Sequence, residues 1–167
     1  MKRSGLLIVV LAALIGVGGI PSASHASSDA KAQITELEHK LINATSADEA
    51  LTFYDPNKVS VFDFEPPLQY VGEKAVRTDF NNFFANATNI KGEFLQIDVV
   101  TDGRLGIVNS IQHFTWTGKD GKPMEGTFRV TDSLHKVGGQ WKIFHTHVSV
   151  PVDPATGMAQ MNLKLNP

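Results

Sequence analysis

Asp63, Asp132, His145 and His147 are the residues whose types and surroundings could move a proton. Asp63 lies in a β-rich run from Val59 to Phe64, where alternation puts its carboxyl on the same face as Val59 and Val61. Burial among apolar side chains disfavours a carboxylate and raises its pKa, which suits it to proton transfer near neutral pH. The plainer reading is a cap on the Pro66-Pro67 turn. An aspartate facing a histidine on the neighbouring strand fixes the imidazole tautomer and favours its charged form, as a catalytic or a purely structural pair. His145 and His147, alternating on one strand with aspartates nearby, meet the minimum geometry of a metal site, yet no third ligand is specified, so neither a metal nor a cofactor is expected.

Those side chains share a face only if the strands run in one register, and the turns set it. A two-residue Gly138-Gly139 loop pairs Val137 with Gln140, and outward counting sets Leu134 opposite Ile143, Asp132 opposite His145 and Val130 opposite His147. The same count around Asp120-Gly121 pairs Lys119 with Lys122, Ile107 with Leu134, Asn109 with Asp132 and Ile111 with Val130. One face is then expected to carry Asn109, Asp132 and His145 beside Ile111, Val130 and His147. Trp141 shares the His145 face and joins Asn109 as a candidate substrate contact. Tyr54, by type a packing residue, is carried as a further contact. Arg129 is expected on the opposite face, although a strongly bent sheet could turn it inward to hold a carboxylate. His113 reads as a rim or core residue.

Upstream, Ile34, Leu37, Leu41 and Ile42 recur at helical spacing, with Glu36, Glu38 and Lys40 assigned to the far side. Ser46 and Glu49 form a capping box that opens a short second helix, stopped at Asp55-Pro56. From Glu73 to Ala87, Val76, Phe80, Phe83 and Phe84 make an apolar stripe that should cross a sheet. Beyond Asn89 the spacing predicts four antiparallel strands, with turns at Asp102-Gly103, Asp120-Gly121 and Gly138-Gly139. Met158 to Leu165 is apolar enough to pack back on the domain.

Lys2 and Arg3, an apolar run from Leu6 to Ile20 and small residues ending at Ala26 have the order of a secretory signal peptide, which predicts an exported protein, periplasmic or secreted. Residues 1–26 are therefore expected to be removed and 27–167 to form one α+β domain, with no membrane partner after cleavage. The chain has no cysteine, so stability must come from its core, without disulfides or a lipid anchor on sulfur. With a net charge of −2 and no basic cluster outside the leader, nucleic acid is not expected as a partner.

The segments Val61-Phe62-Asp63-Phe64-Glu65-Pro66-Pro67, Phe128-Arg129-Val130-Thr131-Asp132 and Gly139-Gln140-Trp141-Lys142-Ile143-Phe144-His145-Thr146-His147, in this order of elements, resemble the nuclear transport factor 2-like superfamily, in its SnoaL-like, ketosteroid-isomerase-homologue branch. The resemblance covers roughly residues 32–165. It implies a cone-shaped fold, with three N-terminal helices on a strongly bent, mainly antiparallel sheet, and a homodimer formed through the sheet. In ketosteroid isomerases an aspartate base works with a tyrosine and a protonated aspartate that hold the substrate oxygen. By order, Asp63 matches the base and Asp132 the neutral acid, while the tyrosine is missing and His39 falls nearest to its place. The same cone also serves cyclases, dehydratases and association domains. A small apolar or carboxylated molecule is thus expected as ligand, bound by an acid-base enzyme (isomerase, cyclase or dehydratase type), by a non-catalytic binding module, or not at all in an association domain.

Overall fold

A computed structural model describes residues 23–165. The leader expected over residues 1–26 lies outside that range except for Ala23 to Ala26, which form the first turn of the opening helix. Helix α1 spans Ala23–Leu41, ten residues earlier than the Gln33 start read from periodicity. Helix α2, Ala47–Leu51, starts as expected: the Ser46 hydroxyl accepts from the Glu49 amide, and Glu49 reaches back to the Thr45 amide. Helix α3 covers Glu73–Asn86. No helix of the described residues is long and apolar enough to cross a membrane.

One sheet carries six strands: β1 Ser60–Phe62, β2 Tyr70–Val71, β3 Ala87–Thr101, β4 Leu105–Gly118, β5 Pro123–Val137 and β6 Gln140–Ser149. Their order is β2-β1-β6-β5-β4-β3, antiparallel throughout except for β1 beside β6. Irregularities after Thr88 and after Phe94 interrupt β3, and such extra residues increase twist and bend a strand, so the long sheet is curved. Ile34 and Leu37 of α1 pack with Val108, Leu134 and Ile143 of the sheet and with Val76 of α3 in one buried core. Glycine eases the close approach of α1 to the sheet: a Cβ on Gly106 would stand 2.7 Å from Ile34 Cδ1, and that side chain would have to shift. The C-terminal segment does pack back, its Met161 carbonyl accepting from the Thr127 amide.

The register departs from the expected one in two places. The Gly138-Gly139 turn is the two-residue loop, both glycines at positive φ (57° and 83°) as a type I′ hairpin requires, and Val137 pairs with Gln140, Leu134 with Ile143. Phe144 is then an extra residue on β6, so Ser133 faces His145, Asp132 faces Thr146 and Thr131 faces His147. The bulge falls where β6 changes neighbour. Up to Ile143 its partner is the Phe53–Asp55 segment, whose carbonyl at Phe53 and amide at Asp55 bond to Ile143, and from His145 onward its partner is β1. At the other hairpin three residues, Lys119 to Gly121, form the loop, closed by the Gly118 amide on the Lys122 carbonyl with Gly121 at φ 79°. Asn109 therefore pairs with Thr131, and Val108, not Asn109, lies opposite Asp132.

Candidate active site

Because side chains alternate along a strand, each one-residue slip exchanges the faces. The inner face of the last three strands carries Ser110 and Gln112 from β4, Asp132 and Val130 from β5, and Thr146 and Val148 from β6. A cavity of about 560 Å³ opens between this face and helices α1 and α3. Asp63, Tyr54 and Asp132 line it.

His145, His147, Asn109 and Trp141 do not line it, and their expected placement with Asp132 around one pocket is corrected here; Arg129 lies on the opposite face, as strand alternation predicts, and is not turned inward. His145 and His147 follow the Phe144 bulge and stand on the outer face around Phe62, their rings 4.7 and 5.8 Å from it. His145 Nδ1 is 2.8 Å from the Ser60 hydroxyl. Burial and the neighbouring His147 lower the His145 pKa, partly offset by Ser60. Asn109 accepts from the Thr131 hydroxyl on the same exposed face, and Arg129 is exposed there too. Trp141 precedes the bulge and is buried in the core under Lys136, whose ammonium lies 5.0 Å from its ring. His39 is exposed and packs edge-on against Phe94.

At the inner end of the cavity a directed chain of hydroxyls ends on a carboxyl. Thr146 donates its only proton to Asp132, so Tyr54, 3.2 Å from Thr146 Oγ1, must donate to it. Asp132 is 1% exposed; burial raises its pKa, and the Thr146 hydrogen bond offsets part of that. Burial and then the Asp132 charge push the Tyr54 phenol well up, so it stays protonated.

Glu38 completes this end. It is 1% exposed, lines the cavity, and its Oε1 has no hydrogen-bond partner among the described residues. Burial and then Asp132 hold its pKa well above the ordinary carboxyl value, so within this pair Glu38 keeps the proton. Assigned above to the far side of α1, Glu38 is corrected to the core side. The signal was present in the sequence, since Glu38 follows Ile34 by four residues and precedes Ile42 by four.

Toward the mouth, Asp63 sits just past β1 with Oδ1 accepting from the Phe64 amide at 2.7 Å. Its pKa is raised to about 6, first by burial, then by Asp79 and Glu65, against the Phe64 hydrogen bond. Asp79 on α3 is also raised by burial and by Glu65, with Tyr70 opposing. Asp79 went unnoticed in the sequence although it lies three residues after Val76 and four before Phe83, on the stripe that faces the sheet.

A bent sheet under helices, enclosing an apolar cavity with acids at both ends, is an α+β architecture of the cone type. The SnoaL-like domain family matches residues 32–153, and the chain belongs to it. Among solved structures it is similar to a nuclear transport factor 2-like protein of unknown function from Pseudomonas putida, at 24% identity over 83% of this chain and 99% of that one, with a TM-score of 0.74. A dehydratase candidate of the same superfamily from Streptomyces avermitilis matches at 15% identity, over 74% of this chain and 97% of that one, with a TM-score of 0.66. A ketosteroid isomerase-like protein from Erwinia carotovora matches at 18% identity, over 71% and 94%, with a TM-score of 0.62. Among curated proteins none matches the sequence. At these identities the structural likeness speaks for the fold.

Proposed function

We propose that the protein is a cofactor-independent acid-base enzyme of isomerase or dehydratase type, working on a small molecule held in the cone between the sheet and its three helices. The observation that carries this reading is the pair of unlike carboxyl environments lining one cavity: Asp63, with a pKa of about 6, and Glu38, kept protonated by burial and by Asp132. Asp63 takes a proton from a carbon next to a substrate carbonyl, and the electron pair moves onto the oxygen. The Glu38 O–H donates a hydrogen bond to that oxygen. Asp63 then returns the proton to another carbon, or gives it to a β-hydroxyl, which leaves as water as the electron pair on the oxygen returns and the carbon–carbon double bond forms. Thr146, donating to Asp132 and accepting from Tyr54, holds that carboxyl in place, and the Asp132 charge keeps the Glu38 proton on Glu38.

The test is to identify by native mass spectrometry what co-purifies with the mature protein, then to compare turnover by the wild type and Asp63→Asn. Loss of turnover with unchanged melting supports the assignment; equal turnover removes it and leaves a binding module. Export to the periplasm or medium is proposed from the leader-like order of residues 1–26, and an intact amino terminus on protein recovered from its host would count against it. A homodimer through the outer sheet face is proposed from the exposed Leu105 and Ile107 on β4, which sit among the polar residues of that face. Light scattering that gives a monomer mass would remove that proposal.

A further inference from the structure

The cavity has an unbalanced charge. Its lining includes Glu38, Asp63, Glu65, Asp79 and Asp132 and, among the described residues, no lysine, arginine or histidine. Elsewhere in the described residues several acids are matched: Asp48 and Glu73 with Arg77, Glu36 with Lys40, Asp55 with His135, Asp120 with Lys122. None of the cavity acids has an ion-pair partner among the described residues. Arg129, the cation that could have received a carboxylated ligand, is on the other face of the sheet.

Aromatic rings surround the acids at the mouth. Phe64 follows Asp63 in the chain, Tyr70 stands beside Asp79, and Phe80, Phe83 and Phe84 come from the same helix as Asp79. Aromatic faces with carboxylates between them form a setting that attracts an organic cation and repels an anion. The unpartnered Glu38 Oε1, fully buried at the inner end, independently indicates that the cavity is shaped for a polar group the protein does not supply.

We propose that the ligand of this cavity is a protonated amine with an apolar, ring-sized body, its ammonium held at the mouth by Asp79, Glu65 and Asp63 against Phe64, Phe83 and Tyr70. The inference rests on reading the cavity as a small-molecule site but not on turnover. The ammonium takes the place of the missing countercharge, so binding favours the ionised carboxylates and releases protons. Asp63 titrates at about 6 and Asp79 is raised above its ordinary value, so affinity for a cation rises with pH through this region. The other titratable groups facing the mouth acids are Glu65, Tyr70 with its pKa pushed up to about 12, and the inner Glu38 and Asp132. None of them supplies a positive charge.

The test titrates the full protein with 2-naphthylethylammonium, with 2-naphthylethanol as neutral isostere and with naphthylacetate as anion, by calorimetry or protein-observed NMR at pH 5 and pH 7.5. The ammonium is expected to bind about tenfold more tightly than the alcohol at pH 7.5, to lose most of that preference at pH 5, and to shift resonances of Phe83 and Tyr70. Naphthylacetate should bind most weakly. Asp79→Asn and, on the exposed loop, Glu65→Gln should each reduce the preference for the ammonium over the alcohol. The inference is overturned if the alcohol or the carboxylate binds as well as the ammonium, or if the ammonium does not bind at millimolar concentration. Tight binding of the alcohol alone would overturn the charge assignment while leaving the small-molecule cavity intact.

Discussion

The two faces of strands β4, β5 and β6 both carry polar side chains, more of them on the outer face, and differ in what those groups can do. On the outer face Asn109 accepts from Thr131, His145 bonds to Ser60, and His147 and Arg129 are exposed. On the inner face Asp132, Thr146, Gln112 and Ser110 are buried, and burial moves protons: it raises Asp132 and, with it, Glu38. The difference teaches that a histidine pair at strand spacing is weaker evidence for a site than a carboxyl on a helix's apolar stripe. A charged group placed there must be neutralised, paired or used.

The sharpest way to break this comparison is to remove the proposed base and the outer imidazoles in parallel. Asp63→Asn is expected to lower kcat for the identified substrate by about 100-fold or more, the scale of a general base, while His145→Gln and His147→Gln stay within about twofold of wild type. Comparable losses in steady-state assays of the histidine variants would return the site to the outer face.

Next in size is stability. Thr146→Val leaves the Tyr54 hydroxyl and a buried Asp132 oxygen without their partner, and should destabilise the fold by about 1–3 kcal/mol in urea unfolding. Asn109→Ala, which removes the Asn109–Thr131 hydrogen bond on the exposed face, should cost about 0.5 kcal/mol or less.

The pH dependence of melting sharpens the same contrast. Glu38 and Asp132 have folded-state pKa values above their unfolded ones, so between those values the native state holds more protons than the unfolded chain. Stability is then greatest on the acid side and falls as pH rises toward and through the folded pKa. Glu38→Gln removes one such group, so its melting temperature, measured by calorimetry from pH 5 to pH 8.5, should fall less than that of the wild type. A steeper fall in the variant would contradict the assignment of Glu38 as a protonated acid.

The smallest effect concerns association. Ile107→Asp on the outer face should change monomer stability by about 0.5 kcal/mol or less, yet shift a sheet-mediated dimer to monomer in light scattering.

Local chemistry alone determined much of this protein. The Ser46 capping box, the aromatic stripe of α3, the type I′ turn at Gly138-Gly139 and the placement of Asp63 beside Val61 depend on a few neighbouring residues, and each stands where the sequence put it. The faces of the sheet were decided by the tertiary structure. An Asp-Gly pair serves a two- or a three-residue loop, and Phe144 is ejected from the ladder where β6 exchanges the Phe53–Asp55 segment for β1. Neither event is encoded within the strands it shifts. Each moves a whole row of side chains by one position, because strand alternation has a period of two and converts a single added residue into a change of face.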